Sequence, residues 1–175
     1  MKTLLSFNKV GEFFCLLLNI RKYSILRLRG DKMIKKFDGT IEMVRDVMTI
    51  DNESFKDIDC SAETLCKRLE KNKQYELYVK YEKDIPMGYL GLLYVANLHY
   101  DGVWVDLIAV RKEWQNKGIG QELLKFAQER AKENGIDTIT GLVKRENLSS
   151  SAMFKKEKFN CDETGFLLYI KGLEK

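Results

Sequence analysis

The sequence predicts one α/β domain, and three observations carry that prediction. Three apolar runs, "YELYVKYEKD", "YLGLLYVANLHY" and "VWVDLIAV", follow one another across short turns, the pattern of an antiparallel meander. Stretches with helical spacing stand on both sides of the meander, each next to a further strand-like run. At 175 residues and 45% hydrophobic, the chain can hold one core of ordinary size and not two.

The elements follow in order. "MIKKF" is a short strand. Asp38 and Gly39 then open "TIEMVRDVMTIDNESF", where Ile41, Val44, Val47, Met48 and Phe55 fall near helical spacing and Asp38 is placed as the N-cap. A second helix follows the cap residue Ser61. The meander comes next, with one turn at "DIPMG", which holds the only proline, and another at Asp101 and Gly102. Residues 118–134 are helical, and Gly135 stands where a C′ glycine ends a helix. "IDTITGLVK" is a strand, "LSSSAMFKKEK" a short helix and "FLLYIKGL" a last strand.

Charge separates the head of the chain from its body. Up to Lys32 there are seven Lys or Arg against Glu12 and Asp31, a net of +5, while the whole chain carries +4, so the remainder is −1. A near-neutral body argues against a nucleic-acid partner, whose phosphates require a basic face. The head contains "FFCLLLNI", too short for a bilayer span of roughly 20 residues and without the small-residue cleavage site of a signal peptide. Residues 1–32 therefore read as an added segment, amphipathic or disordered, or as translation from upstream of Met33, with a weak membrane-surface anchor as the remaining alternative. Residues 33–175 read as the domain. Cys15, Cys60, Cys66 and Cys161 form no C-x-x-C pair and His99 is the lone histidine. No metal site is expected, and the thiols read as reduced, in a cytoplasmic protein without stable membrane insertion.

"QNKGIG", residues 115–120, lies between an apolar strand and an apolar-striped helix. It is not a P-loop, because Gly120 is followed by Gln121, nor a dinucleotide fingerprint, because Leu123 stands where a third glycine belongs. What remains is Gln-x-x-Gly-x-Gly at a strand-to-helix junction. Gly118 would let a ligand approach the backbone, the unpaired N–H groups of the helix start would face an anion, and Lys117 adds positive charge. On these six residues alone, a pyrophosphate site and a plain glycine-rich turn with a solvated lysine both stand.

The longer stretch "LIAVRKEWQNKGIGQELLKFA" resembles the acetyl-CoA-binding motif of the Gcn5-related N-acetyltransferase (GNAT) family. "KRENLSSSAMFKKEKF", one strand later, resembles that family's late motif. The resemblance implies a twisted mixed sheet flanked by helices, with the fourth and fifth strands splayed to admit acetyl-CoA as co-substrate. It further implies that backbone groups of Ile108, Ala109 and Val110 hold the pantetheine arm and acetyl carbonyl. Gln115, Asn116, Lys117, Gly118, Ile119 and Gly120 would hold the pyrophosphate. Asn147 would meet the cofactor arm, with a turn or helix-entry role as its alternative, and Ser150 or Ser151 would line the same groove. Glu53 and Phe55 fall where the family places part of its acceptor pocket.

Two departures from the family pattern stand out. Phe154, which the resemblance counts among the cofactor-binding residues, occupies the position where many members carry a tyrosine that protonates the departing thiolate, and Lys158 replaces a glycine before the final Phe159. A thiol of pKa near ~8.5 leaves tolerably as thiolate, so loss of the tyrosine would slow the reaction without abolishing it. Tyr169, a serine of 149–151, or water would substitute. The incoming ammonium must lose a proton, and Asp106 is the candidate base, since a charge within so apolar a strand is costly unless paired or useful. Its alternative is an aspartate bonded to a neighbouring strand. Together these readings give an N-acetyltransferase acting on a primary amine by direct attack, with a catalytically weak acyl-CoA sensor or scaffold as the alternative. The acceptor amine is not encoded in these patterns, and a homodimer is left open.

Overall fold

Asp38 and Gly39 turn the chain out of the first strand, β1 (Lys32–Lys36), and into the first helix, α1 (Ile41–Ser54). The computed structural model describes residues 32–161 except 56, 57, 97 and 99. His99, Tyr169, the run "FLLYIKGL" and nearly all of the basic head lie outside the described residues. The N-cap of α1 is Thr40, not Asp38. Thr40 Oγ1 accepts from Met43 N–H, while Asp38 Oδ1 accepts from Thr40 N–H at 3.0 Å and from its hydroxyl at 2.6 Å. Asp38 thus forms a turn around Gly39, at φ +85°, and so delivers the cap rather than being it.

The second helix, α2 (Ala62–Lys71), is capped by Ser61, whose Oγ accepts from Thr64 N–H at 3.2 Å. The meander follows as β2 (Tyr75–Glu82), β3 (Ile85–Ala96) and β4 (Asp101–Val110). Both turns lie earlier than their Gly and Pro residues suggest. Lys83 and Asp84 form the first, with Lys83 at φ +49°, and Pro86 is already in β3 at a register shift, where its missing N–H is tolerated. Asp101 and Gly102 pair with Ala96 and Val95 inside the ladder.

After β4, a 3-10 turn at Lys112–Trp114 leads to α3 (Ile119–Glu133), then β5 (Thr138–Gly141) and α4 (Leu148–Lys156). The sheet order is β1-β2-β3-β4-β5, antiparallel except for the β4–β5 pair, which is parallel with α3 as the crossover. Strand alternation divides the core into two layers. Tyr78, Leu90, Leu92, Val103 and Val105 face Leu123, Leu124 and Ala127 of α3. Leu77, Val79, Tyr89 and Ala109 face Met43, Val47 and Ile50 of α1. No helix among the described residues is long and apolar enough to cross a membrane.

Candidate active site

The site begins where the sheet opens. β4 and β5 pair only from Gly102·Thr138 to Val105·Gly141, so residues 106–110 of β4 continue without β5 beside them. Arg111 N–H donates to Met87 O at 2.9 Å, which makes the neighbouring Gly88·Val110 pair a non-hydrogen-bonded one in the antiparallel ladder. By alternation Tyr89·Ala109 is hydrogen-bonded and Leu90·Ile108 is not. Ile108 and Val110 therefore turn N–H and C=O toward the side β5 has left, whereas the backbone of Ala109 is committed to Tyr89. Val110 O is already occupied, accepting from Gln115 Nε2 at 2.9 Å and Ser54 Oγ at 3.3 Å. Among the described residues, the unpaired groups of this edge are thus Ile108 N–H and C=O together with Val110 N–H.

The glycine loop stands at the end of that edge. Asn116 and Gly118 both have left-handed backbone, at φ +58° and +82°, a conformation Asn tolerates and Gly adopts without cost. The first hydrogen bond of α3 runs from Glu122 N–H to Gly118 O at 2.9 Å, so Ile119, Gly120 and Gln121 N–H have no helical acceptor. Lys117 Nζ lies over the Trp114 ring at 4.8 Å. The six loop residues divide by task. Ile119 is a core residue, and Gln115 ties the loop to β4. A Cβ on Gly120 would stand 3.0 Å from Met153 Sδ, so this glycine lets α4 pack on α3, while a Cβ on Gly118 would meet nothing within 4 Å. Below the helix start the buried Lys80 ammonium is 2.6 Å from Glu122 Oε2, a charge contact rather than an aligned hydrogen bond.

α4 closes the far side. Asn147 is its N-cap, with Oδ1 accepting from Ser150 N–H at 3.0 Å, which is the helix-entry role. Ser150 is half-buried, and Phe154 packs edge-on against Phe159 with ring centroids 4.9 Å apart.

Asp106 is the extra residue of a β-bulge: Gly91 pairs with Leu107 and Leu92 with Val105, which leaves Asp106 without a partner on β3. Its side chain is exposed beside the opening, and Oδ2 accepts from the Tyr75 hydroxyl at 3.0 Å. Burial, with the nearby Asp106 carboxylate adding to it, pushes the Tyr75 phenol well above its ordinary range, so Tyr75 is the donor. Glu53 accepts from Arg111 Nε at 2.8 Å and from Lys112 N–H at 3.0 Å, and the Arg111 hydrogen bond holds its carboxyl below the usual range. This acid clamps the end of α1 to the start of the loop. Phe55, just past α1, is 49% exposed. Tyr75 and Arg111 escape a reading by motif because their contacts span three strands in one case and 58 residues in the other.

A profile described as "Acetyltransferase (GNAT) family" matches residues 41–159. The chain belongs to the GNAT family. Solved structures of similar fold include the aminoglycoside acetyltransferase meta-AAC0020 from an uncultured soil metagenomic sample, in complex with sisomicin. It is 15% identical, with a TM-score of 0.72 over 82% of this chain and 97% of that one. The ribosomal-protein-alanine N-acetyltransferase from Brucella melitensis biovar Abortus 2308 is 12% identical, with a TM-score of 0.65 over 79% and 99% of the two chains. The aminoglycoside N-acetyltransferase AAC(6')-Iy, in complex with CoA, is 11% identical, with a TM-score of 0.66 over 85% and 99%. At these identities the likeness is one of fold. No curated protein sequence matches the chain.

Proposed function

We propose that this GNAT chain transfers an acetyl group from acetyl-CoA to a primary amine by direct attack. The observation that carries the reading is the continuity of the free β4 edge at Ile108 and Val110 with the unpaired N–H groups at the start of α3. An elongated ligand with a pyrophosphate at one end and a carbonyl at the other fits that line of donors. Gly118, whose Cβ direction is open, lets the pyrophosphate reach the backbone. Acetyl-CoA supplies an acyl thioester with a thiol as leaving group.

Asp106 takes a proton from the incoming ammonium, directly or through water, and frees the amine lone pair for attack on the thioester carbon. Ile108 N–H or Val110 N–H meets the charge that develops on the carbonyl oxygen. The thiol leaves as thiolate, and Tyr169, a serine of 149–151 or water returns the proton. Glu53 acts through Arg111 on the loop rather than on the acceptor, and Phe55 lines the acceptor side. The names of the similar structures, aminoglycoside and ribosomal-protein-alanine acetyltransferases, make an aminoglycoside and an alanine of a protein the first amines to try.

Release of CoA thiol is followed with acetyl-CoA and a panel of sisomicin, spermidine and an alanine-initiated peptide. Turnover above the buffer rate with any of them supports the enzyme. Tight acetyl-CoA binding with no turnover supports the sensor reading, which the hydroxyl-free Phe154 favours. Asp106→Asn is expected to depress kcat at neutral pH with recovery at high pH, where the amine is already deprotonated. An unchanged profile removes Asp106 from the mechanism.

A further inference from the structure

Three local irregularities of the sheet meet at one point. Tyr75 opens β2, where it pairs with Leu93 of β3, yet its hydroxyl reaches Asp106 on β4, one strand further on. A side chain can cross the intervening strand only where that strand presents nothing, and Gly91 provides the gap. A Cβ built on Gly91 would stand 2.0 Å from the Tyr75 hydroxyl oxygen and 2.7 Å from Cζ. A glycine inside a central strand weakens that strand, so this position calls for a reason, and passage of the phenol supplies one. On the far side, the extra residue of the bulge lies directly across from Gly91 and its neighbour, between Leu107 and Val105.

We propose that Tyr75 is a positioning residue for catalysis: passing through the gap at Gly91, its hydroxyl fixes the Asp106 carboxylate by one oxygen and leaves the other facing the β4–β5 opening. This rests on the reading of Asp106 as the base. Without such a tether, an exposed aspartate on a bulge has a freely rotating carboxylate, and catalytic proton transfer depends on the acceptor oxygen being held within reach of the amine. The tether is directional. Burial, followed by the charges of Asp106 and then Asp51, keeps the Tyr75 phenol protonated. Asp51 is itself held by the Tyr89 hydroxyl, two residues from the gap, so the neighbouring acid is fixed as well.

The test is a double-mutant cycle on the amine of the panel with the highest turnover, with kcat and KM measured separately. Tyr75→Phe keeps the ring over Gly91 and removes only the hydroxyl. It is expected to lower kcat on the order of 10-fold, leave KM for acetyl-CoA unchanged, and have no further effect in the Asp106→Asn background. Gly91→Ala keeps both functional groups but puts a methyl where the hydroxyl lies, and is expected to reproduce the Tyr75→Phe loss. An equal Tyr75→Phe loss in both backgrounds would mean that Tyr75 acts independently, which overturns the inference. Full activity of Tyr75→Phe beside an impaired Asp106→Asn overturns it while leaving Asp106 as the base. Full activity of Asp106→Asn overturns the base assignment and the tether with it.

Discussion

The tip of the Phe154 ring rests on Gly141: a Cβ built on that glycine would be 2.8 Å from both Cε1 and Cζ of the ring. Gly141 is the last residue of β5 and pairs with Val105, the last paired position before the sheet opens. The ring therefore sits at the root of the opening, where the family resemblance would place a proton-donating hydroxyl. Cζ is the atom that carries the hydroxyl in tyrosine, and here it is packed against β5. Phe154→Tyr is thus expected to leave kcat no higher and to cost about 1–3 kcal/mol through overpacking. Denaturant midpoints and thiol-release rates on the same preparation check this, and a gain in kcat would show that the ring can turn its tip toward the opening.

Gly118 and Gly135 flank the two ends of α3, both with left-handed backbone and both with open space in the Cβ direction. Alanine at either position should cost about 1–2 kcal/mol of stability for the same steric reason. Only Gly118→Ala should weaken acetyl-CoA binding, because its methyl projects from the helix start where the pyrophosphate is proposed to lie. Calorimetry on the two variants separates them, and equal affinities would remove the loop from the binding site.

The C-terminal ends of α3 and α4 close with the same pair of hydrogen bonds. Ile136 N–H donates to Ala131 O at 2.9 Å and Gly135 N–H to Lys132 O at 3.0 Å; Phe159 N–H donates to Phe154 O at 3.1 Å and Lys158 N–H to Lys155 O at 3.0 Å. Both ends are Schellman motifs, but the second places Lys158, at φ +64°, where the first has glycine. Lys158→Gly should relieve the left-handed strain and raise stability by about 0.5–1 kcal/mol after the glycine entropy cost is subtracted. A higher urea midpoint with an unchanged slope is the expected result.

Glu53 provides a pH-dependent clamp on the loop. Its folded-state value is lowered from 4.5, chiefly by the Arg111 hydrogen bond, so the stabilisation is fully present above that ordinary value. It is lost as pH falls through the lowered folded value. Glu53→Gln should therefore lower stability near neutral pH and flatten the acid limb of the stability profile. It should also weaken acetyl-CoA binding more than it changes KM for the amine. The reverse pattern of KM effects would return Glu53 to the acceptor pocket.

Local rules account for much of this chain. The period of the apolar residues in α1 and α3, the caps at Ser61 and Gly135, and the apolar runs of β2 to β4 each involve neighbours a few residues apart, so they are legible in the sequence. "QNKGIG" at a strand-to-helix junction is equally local, and it places the helix start that the family profile spans. Contacts decided by sheet register are not legible in this way. Nothing within ten residues of Asp106 indicates that a tyrosine from β2 will reach it, because that depends on the pairing of three strands, on the gap at Gly91 and on the residue added by the bulge. The same holds for Glu53, which the family resemblance puts near the acceptor and which the packing of α1 on β4 draws to Arg111. It holds also for Ala109, whose backbone is committed to β3 by the ladder's alternation while Ile108 and Val110 face the opening. Among the described residues, local pattern thus predicts which stretches become helix or strand and where the loop lies, but not the α1 cap or the two meander turns. Which polar groups are already paired and which remain for a ligand follows from register, because hydrogen-bond partners across a sheet are a property of the assembled strands.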